Sequence, residues 1–164
     1  MRHTREMATL RRSLQLLRSF RFEQTHPEIF YGGLAEDTAA LVDNLGRDLG
    51  VQLPGARVLD VGGGPGYFAD AFARRGAHYV GLEPDAGEMS AAGIHLSNSV
   101  RGDGTNLPFA DDSFDVVYSS NVAEHIPNPW DMGEEMLRVT RPGGLTILSY
   151  TAVSYTHLTL PTKA

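Results

Sequence analysis

The chain has 164 residues, a formal net charge of −6, 41% hydrophobic residues and no cysteine. That length suits one domain with one core, and the acidic balance argues against a general nucleic-acid binder. Without cysteine there are no disulfides, thiolate nucleophiles or cysteine-held metals, which fits a cytoplasmic protein. No apolar run is long enough for a membrane span.

The first predicted element is a helix over residues 5–22. Met7, Leu10, Leu14 and Leu17 recur at three- and four-residue spacing, with Arg11, Arg12 and Arg18 off that stripe. The plain reading of the arginines is a solvated helix face; the alternative is docking to an anionic lipid or lipid-like substrate. His26-Pro27 should break this helix. A second helix is expected over 33–49, with Leu34, Thr38, Leu41, Val42, Leu45 and Leu49 on its buried face and Gly50 closing it. Then the period changes. Arg57–Val61 reads as a strand, 67–75 as a helix, His78–Glu83 as a strand and 85–93 as a short helix. Ser99–Arg101 is a weak strand, 114–119 a fourth, 130–140 a helix and 145–150 a fifth strand. Alternating strands and helices imply an α/β fold with a mostly parallel, doubly wound sheet. The strands are near-continuous apolar runs, as expected where both faces are covered.

Asp60-Val61-Gly62-Gly63-Gly64-Pro65-Gly66 sits between the first strand and a helix. An open parallel sheet binds nucleotides at that place, and glycine lets the backbone approach a ligand closely. A dinucleotide fingerprint wants glycines at 62, 64 and 67, but the third falls at 66 and Tyr67 fills the expected place. No Gly-Lys-Ser/Thr follows, so nothing cradles a pyrophosphate. Glu83, at the end of the second strand, is placed to accept from both ribose hydroxyls and disfavours a ribose phosphate. The ligand class is a nucleoside with a free diol.

These segments, with Gly102–Phe109, Ser113–Ile126 and Arg141-Pro142-Gly143-Gly144, resemble successive motifs of the class I S-adenosylmethionine-dependent methyltransferases. The likeness is strongest to the small-molecule branch and an actinobacterial subgroup of it, over about residues 30–151. The resemblance implies a Rossmann-like sheet in the order 3-2-1-4-5, five of the family's usual seven strands, behind an N-terminal helical cap over 1–50 and within a core over 51–151. It also implies roles. Asp60 orders the glycine loop and helps hold the methionine amino group. Gly62, Gly64 and Gly66 let the backbone pass the cofactor. Glu83 grips the ribose, Pro84 lies on adenine, Asp103 accepts from its amino group with Gly104 beside the ring, and Asn121 offers backbone to the methionine amino group. Tyr31 caps that end. The plain alternatives are that Asp60 and Glu83 cap helix N-termini and that Asp103 is a turn residue.

S-adenosylmethionine carries an already activated methyl group, so the implied chemistry is in-line transfer to a small-molecule or lipid-like acceptor, leaving S-adenosylhomocysteine. Alignment supplies on the order of 7–11 kcal/mol of such a barrier. A base is needed only where the acceptor must lose a proton. His125 is the candidate, since histidine exchanges protons near neutral pH; the alternative is a structural role. The other histidines lack metal-ligand spacing, and Asp111-Asp112 reads as a turn, so no metal is expected. Two competing readings remain: a nicotinamide-dependent oxidoreductase of doubly wound fold, and a non-catalytic or inactive nucleoside-binding fragment.

Residues 153–162 read Val-Ser-Tyr-Thr-His-Leu-Thr-Leu-Pro-Thr. This is similar to a translation of a transposon-end adaptor used in sequencing libraries (GTC TCT TAT ACA CAT CTG ACG CTG CCG ACG). Residues 152–164 are therefore expected to be a non-native tail, with the natural sequence interrupted near Thr151. The fifth strand would then be an unpaired, partly uncovered edge.

Overall fold

The computed structural model describes residues 14, 18, 25–90, 98–150 and 156–160. In chain order these include helix α1 (Pro27–Leu49), β1 (Arg57–Val61), α2 (Ala69–Ala73), β2 (His78–Glu83), α3 (Ala86–Ser90) and β3 (Ser99–Arg101). After them come β4 (Phe114–Ser120), a 3-10 turn (Ala123–His125), α4 (Pro129–Val139), β5 (Thr140–Tyr150) and β6 (Thr156–Leu160). The helix expected over 5–22 lies outside the described residues, apart from Leu14 and Arg18, both helical. Among the described residues, no helix is long and apolar enough to cross a membrane.

Five strands are parallel in the expected order, β3-β2-β1-β4-β5. β1 lies at the centre, and the chain winds to β2 on one side and to β4 on the other. That reversal opens a crevice beyond the carboxyl ends of β1 and β4.

Strand periodicity divides the apolar residues between two faces. On one face Val58, Val116, Tyr118 and Ile147 pack with Ala35, Ala39, Val42 and Leu45 of α1 and with Phe72 of α2. On the other, Leu59, Val61, Leu82 and Val117 pack with Met132, Met136 and Val139 of α4. A fully buried side chain such as Phe72 contributes about 1.5–3 kcal/mol. Arg138 of α4 adds a polar clamp. Its guanidinium pairs with Glu135 and Asp111 and donates to the carbonyls of Leu107 and Phe109, at 3.0 and 2.9 Å. The loop after β3 is thereby tied to α4.

Several boundaries differ from the sequence expectation. α1 begins at Pro27 and not at the expected Gly33, because the first helical position has no use for an N–H. The buried stripe of α1 is carried by Ala35, Ala39, Val42 and Leu45, while Leu49 is 53% exposed. Leu34 and Leu45 of the expected stripe do pack on the core; Leu49, at the helix end, does not. Gly50 closes α1 as expected, at φ 85° with its N–H on the Gly46 carbonyl.

The unpaired β5 edge is also corrected. β6 returns antiparallel along it, from Tyr150 opposite Thr156 to Thr146 opposite Leu160. Thr-His-Leu-Thr-Leu is a strand-forming run, and the exposed N–H and C=O groups of β5 are a template for it. The stretch read as a foreign tail thus serves as the edge strand.

Ending the chain at Tyr150 should bare that edge and promote self-association. Size-exclusion chromatography with light scattering should show the shortened chain larger than a monomer or aggregated where the full chain is monodisperse. Equal behaviour of the two would refute the protective role of β6.

Candidate cofactor site

The loop after β1 crosses the crevice under close constraints. The Gly62 and Gly63 amides both donate to the Leu82 carbonyl, at 2.8 and 3.1 Å, so the loop folds over the end of β2. Gly62 has φ 78°, and a Cβ there would stand 2.3 Å from Val122 Cγ2, so no side chain fits between the loop and the segment after β4. Gly64 also has positive φ, at 52°, but a Cβ there would meet nothing within 4 Å. The backbone is thus bare and open to the outside at Gly64.

Glu83 faces that opening, half-buried. One carboxylate oxygen accepts from the Gly64 amide at 3.1 Å and the other from the Asp85 amide at 3.1 Å. Each oxygen has a second lone pair for a further donor. The helix-capping alternative falls to its neighbour: Asp85 Oδ1 accepts from the Gly87 and Glu88 amides at 2.6 and 3.2 Å. Pro84 between them is exposed.

Asp60 lies beneath the loop and is 2% exposed. It accepts a 2.7 Å hydrogen bond from the Tyr79 hydroxyl. Burial pushes its carboxyl up to about 7; Tyr79 pulls the other way, and the charge of Glu83 adds to the rise. Burial also pushes the Tyr79 and Tyr118 phenols up, so both remain protonated at neutral pH.

The remaining candidates lie on α1 and on the segments that follow β3 and β4. Asp103 is exposed, and its Oδ1 closes a turn by accepting from the Thr105 amide and hydroxyl, both at 2.8 Å. It is therefore a turn residue whose second oxygen remains for another use. Those bonds also hold its carboxyl below the usual carboxylate range. Gly104 is buried, where a Cβ would lie 3.1 Å from Val61 Cγ1. Asn121 follows β4 with φ 57°, and its amide is bonded to the Ser149 carbonyl at 2.9 Å. Its carbonyl is accordingly the backbone group it can offer to an ammonium. Tyr31 of α1 stacks on Tyr67, just past the loop, with centroids 4.7 Å apart and planes 11° from parallel. His125 is exposed on the 3-10 turn.

Tyr79 is the residue that sequence reading missed. No pattern in its own strand marks it: the tight neighbour of a Cβ at Gly81 is Ser99 Oγ at 3.1 Å, while the Tyr79 ring and hydroxyl stand at an ordinary 3.5 Å.

In the unfolded chain Asp60 ionises near 3.8; folded, it keeps its proton to about 7. The folded state holds the extra proton between these values, so stability falls as pH rises through that window. From about pH 4 to about pH 8 the chain should lose on the order of 2–4 kcal/mol relative to Asp60→Asn. Urea unfolding across that range checks this, and parallel pH profiles would contradict it.

Against known proteins, the methyltransferase domain family model matches residues 59–148. A protein of Mycolicibacterium gilvum named an uncharacterized methyltransferase is 62% identical over 149 residues, 88% of this chain and 58% of that protein. The chain thus spans 58% of that relative's length. A solved structure from Bacillus halodurans, assigned as a methyltransferase, has 30% identity and a TM-score of 0.55, covering 60% of this chain and 46% of the other. The [4+2]-cyclase SpnF has 27% identity and a TM-score of 0.54, covering 59% of this chain and 39% of its own.

Proposed function

Because the chain belongs to the methyltransferase domain family, we propose that it binds S-adenosylmethionine in the crevice beyond β1 and transfers the methyl group to a small-molecule or lipid-like acceptor. The observation that carries this reading is the Glu83 carboxylate on the Gly64 amide. A diol acceptor and a side-chain-free stretch of backbone meet at one mouth. The acceptor set fits a nucleoside: carboxylates at 83 and 103, a backbone carbonyl at 121, and no lysine or arginine in the loop to receive phosphates.

When bound, the sulfonium supplies an activated methyl group. The residues of this chain then bind and align. Glu83 accepts from the ribose hydroxyls, and Pro84 and the Gly104 backbone flank the adenine. Asp103 accepts from the adenine amino group through the oxygen not used in its turn. The Asn121 carbonyl accepts from the methionine ammonium, with Asp60 supplying negative charge beneath the loop. Tyr31 closes the methionine end from α1. Where the acceptor is a hydroxyl, His125 takes its proton. Trp130, 74% exposed at the start of α4, gives an acceptor an apolar surface beside the 3-10 turn.

A second reading rests on the SpnF likeness: the same fold also supports a cyclase, so cofactor binding without methyl transfer fits these residues too.

Calorimetric titration should give measurable binding of S-adenosylhomocysteine and none of NAD. Glu83→Ala should weaken the former by about 10- to 100-fold, the loss of charge-assisted hydrogen bonds. Unchanged affinity would refute the ribose contact, and preference for NAD would refute the cofactor class.

A further inference from the structure

Beneath the glycine loop lies a buried set of polar groups that cofactor contacts alone do not require. Tyr79 is 6% exposed and its ring packs on Phe72 at a centroid distance of 6.0 Å. Its hydroxyl reaches over Gly81 to Asp60 Oδ2. The same two groups fill the space under Gly63. A Cβ there would stand 2.9 Å from the Tyr79 hydroxyl and 3.2 Å from Asp60 Oδ2. The phenol and the carboxylate therefore form the floor on which the loop rests.

Resting on the cofactor reading above, we propose that Tyr79 is a positioning residue: its hydroxyl fixes the Asp60 carboxylate under Gly63 and stabilises it as an anion, and so strengthens binding of a cationic methionine moiety above the loop. A phenol donor favours the ionised carboxylate over the neutral acid, because only the anion gains a charge-assisted bond. Without that donor, a carboxyl buried this deeply retains its proton to higher pH. A neutral Asp60 offers a cation no attraction. The hydroxyl of Tyr79 thus acts on affinity through Asp60, without touching the ligand.

Among the described residues, the titratable groups that face Asp60 come from two strands. β2 contributes Tyr79 and Glu83, and β4 contributes Tyr118. The Tyr118 hydroxyl is held by Ser120 and by Thr38 of α1. The glycine loop above has no titratable side chain. Glu83 disfavours the Asp60 anion and Tyr79 favours it, so Tyr79 is the group whose removal shifts the balance toward the neutral acid.

The test uses the full chain and Tyr79→Phe, which keeps the ring and its packing on Phe72. Carbon-13 NMR of the aspartate carboxyls, with Asp60→Asn to assign the Asp60 signal, reads the ionisation without ligand. Its midpoint should rise by about one pH unit in Tyr79→Phe. S-adenosylhomocysteine, which retains the ammonium, is then titrated by calorimetry across pH. Wild-type affinity should tighten as Asp60 ionises. The variant should bind severalfold more weakly near neutral pH and converge on wild type at alkaline pH. An unmoved NMR midpoint, or a pH-independent affinity ratio, would overturn the positioning role even with wild-type binding intact. Absence of wild-type binding at every pH, with the NMR midpoint shifted as expected, would instead overturn the cofactor reading.

Discussion

The hydrogen bond between the Gly64 amide and the Glu83 carboxylate joins the loop after β1 to the end of β2, and the candidate site is organised around it. The parallel register that sets Asp60 opposite Gly81 and Val61 opposite Leu82 brings these two chain segments together. The crossing of Gly62 over Val122 sets how close the loop comes to β4. Those constraints leave an open face at Gly64 with an acid beside it. The loop that carries residues 103 and 104 is tied in turn to α4 by the Arg138 clamp on the Leu107 and Phe109 carbonyls.

The interior below the loop works against stability. A carboxyl as buried as Asp60 loses solvation that a single phenol bond only partly replaces. A hydrophobic residue at 60 would pack at lower cost, but would leave no anion under the loop. On the proposed cofactor reading, the floor of the site trades folding free energy for electrostatic complementarity to a cation, a common arrangement at binding sites.

Much of the fold was legible because its signals are local. Arg57–Val61 and His78–Glu83 are apolar runs bounded by turns, and both strands form where the sequence pattern put them. The glycine loop and Glu83 were legible from spacing alone. Other features depend on tertiary context. The start of α1 at Pro27, ahead of the apolar stripe read from Leu34, is one of them. So is the exposure of Leu49, which helical spacing alone placed on the buried face. The Tyr79–Asp60 pair needs the register of β1 against β2, which neither segment carries by itself. The β5–β6 pairing was not legible because it depends on the open edge of β5, a tertiary feature, and not on the composition of the Thr156–Leu160 run.

The most direct test of the account is a crystal structure of the chain with S-adenosylhomocysteine. The ribose hydroxyls should lie within hydrogen-bonding distance of the Glu83 carboxylate, and the methionine portion should run along Gly62–Gly64 toward Asn121. A nucleoside bound elsewhere, or a Glu83 side chain turned away from the ribose, would contradict it.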